Sequence, residues 1–173
     1  MLIQGTGGVS IFALQFAKLR GLRVLGISSS DAKLARARDL GLDAGLNYSE
    51  NLEWDKWVLE ETSGEGADLV IEVGGVGTLP RSLRALKMGG VVAQIGVLTG
   101  PAEPLPLPVI LHKQARIQGI YVGSRHHFEE MNDAIALTKL RPVFESHPWT
   151  EARDVLREME SASHFGKLVL KVG

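Results

Sequence analysis

The chain contains no cysteine, and no apolar run in it approaches the roughly 20 residues of a membrane-spanning helix. The first absence excludes disulfide scaffolds, thiol nucleophiles and Cys-ligated zinc from these 173 residues. The second leaves no membrane partner to expect. An excess of charge of one sign is lacking too. Nineteen Lys and Arg stand against twenty Asp and Glu, a formal charge of −1, which argues against nucleic acid and charged membrane surfaces as partners. The opening Met1-Leu2-Ile3-Gln4-Gly5 has neither the basic nor the apolar segment of a secretory signal, so a soluble, cytoplasmic protein is the expectation. What the chain does have is glycine, 20 residues, and an apolar content of 45%, enough to build one sizeable core.

Short β-branched runs alternate with helical patterns through the first two-thirds, as in a parallel sheet covered by helices. The patterning predicts strands at 2–4, 23–27, 45–47, 68–73, 91–95 and 116–122. It predicts helices with apolar stripes of Val9, Phe12, Ala13, Phe16 and Ala17; of Leu34, Ala37 and Leu40; of Trp54, Trp57 and Val58; and of Leu79, Leu83 and Leu86. Right-handed crossovers then give an α/β fold, a doubly wound, mostly parallel Rossmann sheet. Residues 101–108 hold four prolines and are expected to run extended rather than helical. Beyond the last sheet strand come a helix carrying Phe128, Met131 and Ile135, a short run at 142–145, a helix carrying Val155, Leu156 and Met159, and an alternating strand at 167–172 as a helix–strand appendage.

Three glycine loops follow strands. In the first, Gly5-Thr6-Gly7-Gly8-Val9-Ser10, Gly5 permits a tight turn and Gly7 allows backbone to approach a pyrophosphate. The N–H groups of Gly8 and Val9, at a helix start, offer donors and a favourable dipole to an anion. The second loop contains Gly74 and the third runs from Gly96 to Gly100; in phase, all three line one crevice at the carboxyl ends of the strands. Selection of NAD ordinarily uses an acidic side chain at the end of the second strand. Here that strand ends in Ser28-Ser29-Ser30, with Asp31 better placed as the N-cap of the next helix. Serine hydroxyls with Lys33 nearby suit a 2′-phosphate, so NADP is expected over NAD. A methyltransferase on a similar sheet is the competing reading of the fold, and it too calls for an acid at this strand end.

The ordered set Gln4-Gly-Thr-Gly-Gly-Val-Ser10, Ser28-Ser-Ser-Asp-Ala-Lys33, Leu40-Gly41, Asn47-Tyr48, Val73-Gly-Gly-Val-Gly-Thr78 and His164-Phe-Gly-Lys167 resembles the medium-chain dehydrogenase/reductase superfamily, which includes zinc-type alcohol dehydrogenases and zinc-free quinone oxidoreductases. The resemblance implies hydride transfer between a nicotinamide cofactor and an alcohol or carbonyl, a quinone or an activated alkene. It implies that Ser28 or Ser29, Lys33 and Tyr48 hold the 2′-phosphate, and that the nicotinamide lies against backbone of Val97, Leu98 and the Tyr121-Val122-Gly123 stretch. Lys167 is read either as a strand-edge lysine or as a contact to the cofactor phosphates. Nothing here corresponds to the catalytic domain that precedes this fold in such proteins. Residues 1–140 are accordingly expected to be the cofactor-binding domain and 141–173 a segment that returns to a catalytic domain absent from this chain, which would carry the small-molecule substrate site. Strand 116–122 would be a sheet edge, open to pairing, and the resemblance implies that it joins its mate in a homodimer. The alternative is a non-catalytic cofactor-binding or dimerisation module.

No residue of this chain is assigned a catalytic role, and none a metal. His112, His126, His127, His147 and His164 show no metal-ligand spacing, so no zinc is expected within it.

Overall fold

A computed structural model of the chain describes residues 1–100 and 104–173. Its first part is a run of βα units: β1 (Leu2–Gln4), α1 (Gly8–Leu19), β2 (Leu25–Ser28), α2 (Asp31–Asp39), β3 (Ala44–Asn47), α3 (Trp54–Glu61), β4 (Ala67–Glu72) and α4 (Leu79–Ala85). β5 (Leu86–Gln94), α5 (Leu107–Lys113), β6 (Arg116–Gly119) and α6 (Arg125–Thr138) continue it. A final unit of β7 (Phe144–Pro148), α7 (Ala152–Glu160) and β8 (Lys167–Lys171) follows. Strands β1 to β6 form one parallel sheet in the order β3-β2-β1-β4-β5-β6. The winding direction reverses between β1 and β4, which makes the sheet doubly wound. β7 and β8 pair in parallel as a separate two-stranded sheet.

Successive strand residues point to opposite faces, and the apolar runs supply both. Leu2, Leu25, Ile27, Val70 and Val92 pack with Trp54 and Val58 of α3 and Leu83 of α4. Ile3 and Ile71 pack on the other face with Ile11, Leu14 and Ala17 of α1 and Leu34 and Ala37 of α2. Each fully buried aliphatic side chain contributes about 1.5–3 kcal/mol. The second cluster also takes in Phe165, 1% exposed, so the chain just before β8 is anchored in the core of the large sheet. Arg36 lies over its ring, 4.2 Å from the centroid. Among the described residues no helix is long and apolar enough to cross a membrane.

Several details differ from the expectation. α1 buries Ile11, Leu14 and Ala17 rather than the stripe of Val9, Phe12, Ala13 and Phe16. The Ser10 hydroxyl donates to the Gln4 carbonyl at 2.6 Å, which fixes the helix rotation so that Ile11 and Leu14 meet the sheet. Phe12 and Phe16 stack on each other at 6.0 Å on a half-buried side. Ser30, not Asp31, is the N-cap of α2: its backbone is extended and its side chain accepts from the Lys33 N–H, leaving Asp31 as the first helical residue. Leu86 opens β5 instead of closing α4. It pairs with Ala67, and a register shift between Ala67 and Leu69 takes up the residues before Val91.

Of the proline-rich stretch, residues 101–103 lie outside the described residues. The stretch does not run extended to its end, because α5 begins at Leu107 with Pro108 in its first turn, where a missing N–H costs no helical bond. β6 stops at Gly119 rather than at residue 122. It is one of the two sheet edges and all four of its residues are exposed, and α6 buries none of its own.

The choice of α1 face is testable by denaturant unfolding. Leu14→Ala is expected to cost about 2–5 kcal/mol, as for a buried leucine, and Leu19→Ala, at the exposed end of the same helix, less than about 1 kcal/mol.

Candidate functional site

The chain leaves β1 through a tight turn. Gly5 sits at φ +69°, a backbone region that side chains rarely enter, and its N–H donates to the Ile27 carbonyl of β2 at 2.7 Å. Gly7 then caps α1 without a side-chain bond. The first bond into the helix runs from the Ile11 N–H to the Gly7 carbonyl, 3.0 Å, so the N–H groups of Gly8, Val9 and Ser10 have no acceptor within the helix. From the far end of the chain, the Gly166 N–H donates to the Thr6 carbonyl at 2.9 Å, and Gly7 and Gly166 form a parallel bridge. This contact delivers Lys167 onto the turn: a methyl group on Gly8 would fall 2.8 Å from Lys167 Nζ, besides overlapping the side-chain carbons. A helix start, with its partial positive charge, and an ammonium group therefore share one spot.

That spot opens on a cleft of about 850 Å³. Of the residues expected to bind a cofactor, Gly5, Gly7, Gly8, Val9, Ser28, Ser29, Lys33, Tyr48, Gly74 and Leu98 line it. Val97 and Val122 do not; both are largely exposed. Lys33 does not point freely into the cleft, because its Nζ donates to the Ala162 carbonyl in the α7–β8 turn at 2.7 Å. Ser28 is buried, and its hydroxyl oxygen accepts from the Ser30 N–H at 3.3 Å. Sequence reasoning missed Leu52, Trp54 and Arg81 on one side of the cleft, and Met159, Glu160, Ala162 and His164 from the closing segment. Their signal was weak: Trp54 reads as core, and the others are brought in only by long-range packing. His164 has a buried Nδ1 without a hydrogen-bond partner among the described residues.

Two carboxylates organise the walls. Asp55, buried at the start of α3, accepts from Arg81 Nη1 at 2.9 Å and Arg84 Nε at 2.6 Å, tying α3 to α4. Burial works against its charge, but the hydrogen bonds from Arg84 and Arg81 outweigh it and hold the carboxyl below the usual carboxylate range. Glu72, at the end of β4, has no exposed surface. Its Oε1 accepts from the Gly74 N–H at 2.8 Å, the Gly75 N–H at 3.0 Å and the Thr78 hydroxyl at 2.6 Å; its Oε2 accepts from Gln4 Nε2 at 2.8 Å and from the Ser82 hydroxyl. Thr78, at the N-cap position of α4, thus turns its hydroxyl to Glu72 and makes no side-chain cap bond. Among the described residues no group of three or more His, Cys, Asp and Glu side chains is arranged to hold a metal ion.

A doubly wound parallel sheet with a glycine turn, an open helix start and a cleft at its switch point defines the Rossmann class of domain. The sequence profile described as zinc-binding dehydrogenase matches residues 8–137, and the chain belongs to that family. It is 39% identical over 177 aligned positions to a zinc-type alcohol dehydrogenase-like protein of Schizosaccharomyces pombe, covering 99% of this chain and 51% of that one. A crystal structure of a candidate alcohol dehydrogenase from Sinorhizobium meliloti 1021 superposes with a TM-score of 0.92 at 38% identity, over 99% of this chain and 50% of the other. That of an NAD-dependent alcohol dehydrogenase gives 0.90 at 34%, again over 99% and 50%. The chain thus spans about half the length of the curated relatives it matches.

Because the Asp55 carboxyl is held low, its stabilising contribution is present above the ordinary carboxylate range, near 3.9, and is lost as pH falls through the depressed value. Asp55→Asn is expected to lose about 1–3 kcal/mol at pH 7, and the gap to the parent chain is expected to close as pH drops below about 4, read by thermal unfolding across pH.

Proposed function

We propose that this chain is the NADP(H)-binding portion of an oxidoreductase that transfers hydride to or from an alcohol or carbonyl, a quinone or an activated alkene, with residues outside the chain completing the substrate pocket. The observation that carries the reading is the meeting of Lys167 with the uncapped start of α1 on Gly8. It is a cradle for a pyrophosphate: free N–H donors, a helix dipole and an ammonium, meeting on a glycine whose added side chain would push the Lys167 ammonium aside. Tyr48, Leu52 and Trp54 offer an apolar slot for a base on the side where Ser28, Ser29 and Lys33 stand.

Bound there, a nicotinamide cofactor supplies the hydride chemistry. The chain's own residues do the rest: the α1 amides and Lys167 hold the phosphates, Lys33 and the serines receive a 2′-phosphate, and the Gly74 loop and Leu98 wall the ring from water. No residue of this chain is assigned a proton or hydride transfer, so it is expected to bind without turnover by itself. The family's name refers to zinc; the described residues do not fit that ion, and no step proposed here runs through it. The similar structures divide on cofactor, one being named NAD-dependent and a mycobacterial one, at 25% identity, being complexed with NADPH. The serine–lysine end of β2, without an acid, favours NADP.

The exposed edge β6 supports a second element of the proposal, a homodimer formed by pairing this edge with its copy. A purely cofactor-binding or dimerising module is the alternative that such an edge also favours. Incubation with NADPH and a panel of aldehydes and quinones separates the two from an autonomous enzyme.

Titration followed by tryptophan fluorescence, with Trp54 in the cleft as reporter, is expected to show NADP+ binding about ten-fold tighter than NAD+. Lys33→Ala is expected to remove about ten-fold of NADP+ affinity and leave NAD+ nearly unchanged. Tighter NAD+ binding overturns the specificity. Sedimentation at micromolar concentration is expected to report a dimer, and Ile120→Lys, just beyond the edge strand, a monomer; a monomeric parent chain overturns the edge pairing.

A further inference from the structure

The stretch between β7 and β8 supplies Met159, Glu160, Ala162 and His164 to the wall of the cleft. It is fixed at both ends. On the β7 side Arg36 pairs with Glu145 at 3.4 Å; on the β8 side Phe165 sits in the core and the Gly166 N–H donates to Thr6. Between those anchors α7 buries Val155 alone of its own residues. One polar contact reaches outward from α7 and the turn after it: the Lys33 ammonium of α2 donates to the Ala162 carbonyl at 2.7 Å. Among the described residues no other hydrogen bond or ion pair joins this part to the six-stranded part of the chain. Ala162 stands at φ +53°, just past the C-cap Ser161, a left-handed position that ordinarily goes to glycine. An alanine gains nothing from that conformation, and the bond to Lys33 opposes its relaxation.

This latch uses the same ammonium that the 2′-phosphate would take. A phosphate monoester offers it a full negative charge where the carbonyl offers a dipole, so a phosphate wins the contact and a hydroxyl does not. An ammonium has three N–H groups and room for two acceptors, but the charges on the turn decide against sharing. Glu160, two residues before Ala162, is the acid among the residues lining the cleft, and it forms no ion pair among the described residues. The other cations are engaged elsewhere: Arg81 with Asp55 on the α4 side, Lys167 over Gly8, and Arg36 with Glu145 and the Phe165 ring. A phosphate on Lys33 therefore faces the Glu160 carboxylate and the negative end of the Ala162 carbonyl, both carried by the turn.

We propose that the α7–β8 turn senses the 2′ position of the cofactor: a 2′-phosphate draws Lys33 from Ala162 and releases the turn, whereas a 2′-hydroxyl leaves it latched. The proposal rests on the cofactor-binding reading above and adds a conformational response to it. By linkage, release of the turn and binding of the 2′-phosphate favour each other, so whatever holds the turn shut weakens NADP+ and leaves NAD+ alone.

Site-resolved amide hydrogen exchange tests this on the whole chain, free and saturated with NADP+ or with NAD+. The reporters are the Ser161 and Ala162 N–H groups, which donate to the Arg157 and Met159 carbonyls, with the Gly166 N–H as the fixed reference. NADP+ is expected to speed exchange at both reporters by about three- to ten-fold while NAD+ does not, with Gly166 protected throughout. Lys33→Ala is expected to speed the same two amides in the free chain, after which NADP+ adds nothing. Glu160→Gln is expected to raise NADP+ affinity about three-fold by calorimetry and to leave NAD+ affinity unchanged. Reporters that NADP+ slows, or that both cofactors shift alike, overturn the proposal. So does a free Lys33→Ala chain that exchanges like the parent, or an NADP+ affinity unmoved by Glu160→Gln. With NADP+ bound, those results leave the cofactor-binding reading standing. Failure of the parent chain to bind either dinucleotide overturns that reading, and this proposal with it.

Discussion

A carboxylate shut away from water, with every lone-pair direction met by a donor, joins the carboxyl ends of β1 and β4 where the sheet reverses its winding. Gln4 is the second half of this joint: its amide nitrogen serves Glu72 and Ser82 while its oxygen accepts from the Val73 N–H at 3.3 Å. The two strands are neighbours in the sheet, but after Gln4 and Glu72 their chains diverge, one into the first glycine turn and one into the second. The separation of those turns is the width of the cleft. A buried, unpaired ion is costly, and it persists only where its hydrogen bonds are complete. Here they are, and the cost is met at the position that sets the shape of the site.

The rest of the cleft is assembled from pieces that need this joint. α1 starts beside it because Ser10 bonds back to the Gln4 carbonyl, and α4 starts beside it because Thr78 and Ser82 bond to Glu72. The other side is set by a different anion, Asp55, which draws α3 and α4 together through two guanidinium groups. The segment around β8 completes the rim, fixed by Phe165 in the core and Gly166 on the first turn.

Much of this was legible in the amino-acid order. Adjacent apolar pairs such as Leu2-Ile3 and Val70-Ile71 announce strands buried on both faces, and Gly5-Thr-Gly-Gly between a strand and a helical stripe announces the turn. The boundaries failed where a non-local bond decided the outcome. Two stripes on α1 have similar spacing, and the Ser10 hydroxyl chose between them. Leu86 fits the α4 pattern, but pairing with Ala67 drew it into the sheet. The candidate site divides in the same way. Residues expected within the glycine turn and at the end of β2 line the cleft, since their place depends on local backbone. Glu72, Arg81 and His164 were not, because nothing in their neighbourhoods says that distant chain will close over them. Val97 and Val122 were inferred from resemblance alone and stand outside the cleft of this chain.

The hydrogen bond between the Gly166 amide and the Thr6 carbonyl joins points nearly a whole chain apart. Closing a loop of that length is entropically slow as well as costly, and non-local pairings of this kind form late on a folding path. The sheet and its helices are built from contacts much closer in sequence and can form first. The juxtaposition of Lys167 with the α1 start therefore matures last: a chain that had folded every βα unit but not yet docked its tail would still lack Lys167 over Gly8. On this topology, the first turn is complete only once the tail has arrived.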